Sequence, residues 1–590
     1  MMIYKVGLLS SCQKTMEGAH VRAKGYAGIV LALSMLLMCW TGPASALGPT
    51  EPDRERDLDE KARRQQAIEQ EIREQEDEHV ARPALALPPP LQAPDVGEAR
   101  FPIAQIEVRD GAIHFREVDR IVERYQGTTM GQAEIFALLR DLTNFYYGRG
   151  YITTSVSLAE QNLSSGKLIV VVHWGYVKGW RVNGATPEGM RERLMLTSAM
   201  PGIEGSVLNI HDIDQAIENL HGLGKTAKIN VVPAEEADFS YLDVIVQRSR
   251  PFAVSVSFDN SGLSNRADAG LYKSGVNFSV ADLLGANDVL TLSAARRYYR
   301  DPAHHADDVL GVSYGLRVGP WSADLRYSAR PTKSLLSGTY GNYQLRGNTQ
   351  EANVRVSRVL DRWQTGKDTA YVAIDRKRAR NYIDDTLIAI NSNTHTSVTA
   401  GINRLGTLFG GTVFADVSWT RGAGWLGASV DPVPAGQGPT SRYDKFNLNL
   451  NWSRDFMAGP LRANYTAAAG AQYSKDDLYY DSKFAIGDQY TVRGFKIQSA
   501  YGDTGVYVSN TLSFPFFTPI GSVTPFVGLD WGAVKNNGST GSGGSIGGVA
   551  GGIRVSGKWA NAAVTVGKPF KVLPGMGHGV VWYLSASANF

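Results

Sequence analysis

Cysteine is almost missing from these 590 residues, and the two present, Cys12 and Cys39, both lie near the N-terminus. That excludes a disulfide framework and a thiolate metal site from the rest of the chain. Long apolar runs are missing as well. Beyond GIVLALSMLLMCW (28–40) no stretch approaches 18 apolar residues, so a helical membrane protein is excluded. Charge of one sign is also absent. Lys and Arg (60) nearly balance Asp and Glu (57), and no dense basic patch is interleaved with aromatics, which argues against nucleic acid.

No catalytic constellation can be assembled. GVSYG (311–315) fits G-x-S-x-G, but the alternating VLGVSYGLRVG around it reads as strand, not as the elbow that chemistry needs. GLGKT (222–226) imitates the end of a phosphate loop, yet Asn219 stands where its first glycine belongs. HHADD (304–308) follows no ligand spacing. The expectation is no enzyme, no cofactor and no metal.

What is present begins with Lys5, Lys14, Arg22 and Lys24, followed by the apolar run and GPASA. This reads as a signal peptide, 1–46, cleaved after Ala46. Bulky Met38 before Cys39 argues against a lipid anchor there. Residues 51–82 carry twelve acids and seven bases around a thin stripe of Leu58, Ala62, Ile68 and Ile72, which predicts a mostly polar helix within 47–82. PALALPPPLQAP follows, inside an extended linker at 83–100.

From 101 the pattern becomes IAQIEV, two helical stretches (EVDRIVERY and GQAEIFALLRDLTNFYYGRG), then YITTSVSL and KLIVVVHWGYV. A similar order recurs from KGWRVNG to YLDVIVQR. Two small α+β domains, 101–177 and 178–250, are the economical reading, each a sheet covered on one face by two helices.

Residues 251–590 alternate instead. FNLNLNWS sets Phe446, Leu448, Leu450 and Trp452 against Asn447, Asn449, Asn451 and Ser453. Amides on the buried face of a soluble sandwich would be left unsatisfied. A barrel with its apolar face toward lipid and its polar face toward a watery lumen removes the difficulty, and the length suits about 16 antiparallel strands. The chain ends on VVWYLSASANF, whose Trp582, Leu584 and Phe590 look like the last strand of an outer-membrane barrel.

The stretches GRGY, SAMPG, VLNIHDIDQAIENL, SYLDV, DNSG, DLLGANDVLTL, RRYYRD, GDQYTVRGF and FVGLD span nearly the whole mature chain. On them the sequence resembles the two-partner-secretion outer-membrane transporters, most of all the filamentous haemagglutinin type. The resemblance implies a 16-stranded barrel at 251–590, two periplasmic POTRA domains and an N-terminal helix able to occupy the pore. It implies movement of an unfolded haemagglutinin- or haemolysin-like exoprotein from periplasm to surface. The partners implied are that exoprotein, outer-membrane lipid and the barrel-assembly machinery, with the transporter itself a monomer. A barrel-assembly factor of the same superfamily and a gated porin are the competing readings.

The resemblance also implies that the loop with Val492, Arg493, Gly494 and Phe495 folds into the lumen. There the Arg493 guanidinium needs a carboxylate. Asp530, in FVGLD, is the choice; Asp488 and Asp503 are the alternatives.

Overall fold

The structure is a computed structural model that describes residues 51–81 and 99–590, apart from 264–268, 364, 432–437, 520 and 539–542. The expected signal peptide, both cysteines and the Pro-rich part of the linker lie outside the described residues.

Sixteen strands of 8 to 23 residues close into one antiparallel barrel. Two short pieces, Thr386–Leu387 and Phe516–Thr518, extend its hairpins. Alternation produces the wall. Val254, Phe278, Leu292, Val312 and Tyr327 stand opposite one another in turn across five neighbouring strands. The last four are exposed, so they form an apolar row on the outer surface. The final strand, Val581–Asn589, pairs with the first, Phe252–Asp259, and Phe590 exchanges backbone hydrogen bonds with Val254 (2.9 and 3.2 Å). Trp582 and Phe590 are exposed and Leu584 is half-buried. Closure leaves no sheet edge in lipid, which a membrane-spanning sheet requires.

Before the barrel stand two domains with separate cores. In the first, Gln105–Arg109, Lys167–His173 and Ser155–Leu158 form a sheet in that order, and Phe101–Ile103 pairs with Thr128–Met130. We number the helices in chain order. α1 spans Glu51–Ala81, and in this domain α2 (Arg116–Glu123) and α3 (Gln132–Gly148) bury Val118, Leu138, Leu142 and Tyr146 against Leu168 and Val170. The second sheet runs Tyr176–Val182, Phe239–Arg248, Lys225–Pro233. It is covered by α4 (Gly189–Ala199) and α5 (Ile210–Leu220).

Two local expectations change. IAQIEV is not one strand, because the Ala104 and Gln105 N–H groups both turn to the carbonyl of Gly166 and break the run. YITTSVSL is strand only from Ser155. The ring of its Tyr151 instead packs edge-on against Trp174, 5.2 Å between centroids.

Candidate lumen site and the joints around it

The strands Leu461–Ser474 and Thr504–Ser513 are joined by a long connection that doubles back on itself through a small ladder, Phe484–Ile486 with Ala500–Gly502. Its tip lies inside the barrel. Val492 and Phe495 pack there with Ile486, Val534 and Ile546, all buried.

Arg493 holds on to Asp530. Its Nε donates to Oδ2 and its Nη2 to Oδ1, both at 2.6 Å, while its backbone N–H donates to Oδ2 at 2.9 Å. Ser509 Oγ donates to the same carboxylate at 2.8 Å, and Arg493 Nη2 also reaches the carbonyl of Asn510 at 2.9 Å. Arg493 is 5% exposed and Asp530 1%. A two-pronged pair this dry is tolerable because both of its members are further hydrogen-bonded.

The alternatives are otherwise engaged. Asp488 accepts from the N–H groups of Tyr490 and Thr491 and pairs with Lys61 of α1 at 2.8 Å. Asp503 accepts from Leu478 N–H and pairs with Lys483 at 2.9 Å.

Glycine makes room for this contact; the sequence reading gave Gly494 to the turn of the loop but missed the glycines of the wall. A Cβ on Gly528 would lie 2.1 Å from Arg493 Nη2, and one on Gly548 would lie 1.8 Å from the Arg493 carbonyl oxygen. Gly494 has φ +109°, a conformation that disfavours any side chain. The loop backbone therefore lies directly on Gly548 of the strand Gly544–Ser556, while the Arg493 guanidinium lies on Gly528 of the strand Gly521–Lys535. The runs FVGLD and GGVAGG carried the signal, but only as small residues in strands.

α1 occupies the same lumen. Glu55 pairs with Arg297 (2.8 Å) and Arg330 (3.0 Å), Asp59 with Arg330 (3.3 Å) and Lys273, Arg56 with Glu351 (3.4 Å), and Glu71 with Lys367 (3.5 Å). Ile68 meets Leu405 and Phe414, so the thin apolar stripe finds an apolar spot on the wall. Asp307, from the stretch weighed for metal, instead bridges Arg297 (3.0 Å) and Arg330 (2.6 Å). GVSYG lies in mid-strand within Ala306–Val318, with no elbow.

A third joint ties the second small domain to the barrel's hairpins. Lys225, the lysine of GLGKT, donates to Asp282 (2.8 and 2.9 Å) and to Asn287 Oδ1 (2.6 Å). Asn287 returns to the Met195 carbonyl at 2.8 Å, and Asn219 reaches the Gly319 carbonyl at 2.7 Å. Asn219 is thus a docking residue, not a failed phosphate-loop glycine. Burial opposes ionisation of Glu218, but Lys367 at 2.8 Å and the Arg362 and Arg317 guanidiniums hold its carboxyl well below the usual range. Burial pushes the Lys225 ammonium down and Asp282 pulls it back.

Comparison with known proteins agrees with this architecture. Residues 101–175 match the POTRA domain of ShlB type, residues 176–233 a further POTRA domain, and residues 238–555 the haemolysin secretion/activation proteins ShlB/FhaC/HecB. The chain belongs to that family. The outer membrane transporter CdiB of Dickeya dadantii is 26% identical over 92% of this chain and 95% of its own. The haemolysin transporter HpmB of Proteus mirabilis is 27% identical over 69% of this chain and 71% of its own. The solved structure of CdiB from Escherichia coli superposes with a TM-score of 0.81 at 26% identity, covering 92% of this chain and 100% of that one.

This is therefore a two-partner-secretion transporter of the outer membrane, with its POTRA domains on the periplasmic side. Members of the family are transporters that work with a secreted partner protein. The POTRA 2 contacts also orient the barrel: the turns at 282–288 and 319–320 face the periplasm, and the opposite rim faces out.

Proposed function

We propose that this chain carries an unfolded haemagglutinin- or haemolysin-like exoprotein from the periplasm through its barrel to the cell surface. The observation that carries the reading is how the lumen is filled. α1 is held there by side-chain ion pairs and one small apolar contact, so it can leave without breaking any strand ladder. A polar wall suits a polypeptide passing extended, and the Pro-rich stretch behind α1 gives the helix a tether.

The POTRA sheets supply the receiving end. Each is covered by helices on one side and ends in edge strands, Ser155–Leu158 in the first sheet and Lys225–Pro233 in the second. An extended substrate can pair with such an edge through its backbone, which gives sequence-tolerant binding. In this reading Arg493 and Asp530 hold the inward loop as a fixed lumen element. Trp582, Leu584 and Phe590 present the last strand to the barrel-assembly machinery, and a closed barrel lets one copy suffice.

Co-expression with a candidate exoprotein is the test. It should appear in the medium only when this chain is present, and deletion of 101–177 should abolish its release while the barrel still reaches the outer membrane. Undiminished release by the deletion would overturn the reading.

A further inference from the structure

The outer face of the wall carries a feature that transport through the lumen does not use. Strand parity is fixed by the exposed apolar residues Leu292, Leu325, Tyr327, Val354 and Val372. The same parity, followed toward the outer rim without a register shift, places Arg296, Lys333, Arg346 and Arg378 on the outside as well. Their inward neighbours confirm the assignment, since Arg297 and Arg330 reach α1 and Lys377 reaches Asp481.

On each of these strands the outward apolar run gives way to a base. Ala294 is followed by Arg296, Tyr327 and Ala329 lead by way of Pro331 to Lys333, and Ile374 is followed by Arg376, Arg378 and Arg380. Arg346 stands opposite Lys333 across the ladder.

These bases also share a built concavity. The ladder between Ala306–Val318 and Trp321–Gly338 skips from Asp307–Thr332 to Leu310–Ala329, beside Pro331, which has no N–H to give. Around this gap lies a cavity of about 370 Å³ lined by Arg296, Lys333, Arg346 and His305, with Asp308 as its carboxylate. Asp308 is already bound in a two-pronged pair with Arg296 (2.7 and 3.0 Å) and Asp385 pairs with Arg346 at 2.7 Å. Lys333 and Arg378 are exposed and make no ion pair with any described residue. The surface is thus cationic in net, directly continuous with the lipid-facing band, and on the extracellular side.

We propose that this face binds the phosphate groups of a phosphorylated glycolipid of the outer leaflet, with its acyl chains on the apolar row below and a headgroup phosphate in the Arg296–Lys333–Arg346 cavity. Guanidinium forks match phosphate oxygens in pairs, and lysine adds a mobile point charge. Clustered bases at a membrane interface attract anionic lipid, each adding to the affinity. The inference does not depend on what the barrel transports.

The test uses the full-length chain in neutral detergent, with bound lipid per barrel counted by native mass spectrometry. The probe is a bisphosphorylated glucosamine-disaccharide lipid, run beside its dephosphorylated form and beside phosphatidylglycerol at matched charge. Wild type should retain the bisphosphorylated lipid best, and added salt should weaken retention. A Lys333→Ser, Arg346→Ser, Arg378→Ser variant should lose affinity by at least about tenfold while keeping its heat-resistant folded migration. Equal retention by that variant, or of the dephosphorylated lipid, would overturn the proposal. Equal retention of phosphatidylglycerol, or full displacement by millimolar inorganic phosphate, would overturn the glycolipid as its source. Should the triple variant fail to fold, the salt and dephosphorylation series on wild type decides alone, since indifference to both means no phosphate is read.

Discussion

The loop bearing Arg493 and the helix α1 lie in the same lumen and are fastened by the same chemistry in opposite ways. The loop is covalently framed by two barrel strands, and its tip is locked by one dry pair with six hydrogen bonds among Arg493, Asp530, Ser509 and the Asn510 carbonyl. α1 takes part in no strand ladder and spreads its attachments over Glu55, Arg56, Asp59, Lys61 and Glu71. Concentrated and buried attachment makes a part fixed. Distributed attachment makes a part removable even though Glu55 is as dry as Asp530 beside its arginines, because the load is divided among separate side-chain pairs that can open one at a time.

The sharpest way to break the contrast is Arg493→Ala. It leaves Asp530 buried without its cation, at a cost of about 3–5 kcal/mol. The loop should detach from the wall, and secretion should fall at least tenfold while the protein still reaches the outer membrane. Full secretion by this variant would leave the pair without the role given to it. Asp530→Asn should resemble it, and the double variant should fall short of the sum, as expected of partners in one network.

Gly548→Val should come next. Its side chain would claim the space of the Arg493 carbonyl, and forcing such a fit costs about 1–3 kcal/mol. Reduced protection of the loop amides in hydrogen exchange would show the displacement with every charge still in place. Unchanged exchange would mean that the charge pair alone positions the loop.

For α1 the expectation is graded. Removal of 47–82 should raise conductance in planar bilayers, whereas Asp59→Asn alone should shift the resting helix only partway, since Glu55, Arg56, Lys61 and Glu71 keep their partners. That shift should be larger at low salt, where screening is weaker. A single substitution that opens the pore as fully as the deletion would show that α1 too hangs on one contact.

The joint between POTRA 2 and the barrel shares features with both, and its effect is confined to one helix. Glu218→Gln should speed hydrogen exchange in Ile210–Leu220, from a loss of about 2 kcal/mol of charge-assisted bonding. The sign of its pH dependence follows from its lowered pKa. The Glu218 contribution is complete above the ordinary glutamate value of about 4.3 and fades only as pH falls below that toward the folded value. Wild-type exchange in this helix, corrected for intrinsic rates, should therefore match at pH 7 and pH 5.5.

The strand period and the polar helix were legible in the chain, because each depends on which residues stand two or four positions apart. Alternation gave Phe446 and Leu448 to lipid and Asn449 to the lumen, where it meets Arg64 at 3.4 Å. The two helix-covered domains were legible for the same reason. Thr128–Met130 was not, since three residues are too few to show a period.

What local pattern cannot contain is which residue of one strand meets which residue of a distant one. Asp488, Asp503 and Asp530 were equal candidates for Arg493 by chemistry. The register and stagger of the closed barrel set Asp530 beside Ser509 and opposite Gly548, next to the inward loop. The sequence already ruled out a phosphate loop around Lys225, but only tertiary packing showed that Asp282 and Asn287 are its partners. The sequence by itself determined the faces of the longer strands and helices, because side-chain direction follows from local backbone geometry. Only the tertiary structure decided the partners, because a dry ion pair needs two groups within hydrogen-bonding distance and both enclosed, a condition set by the whole wall at once.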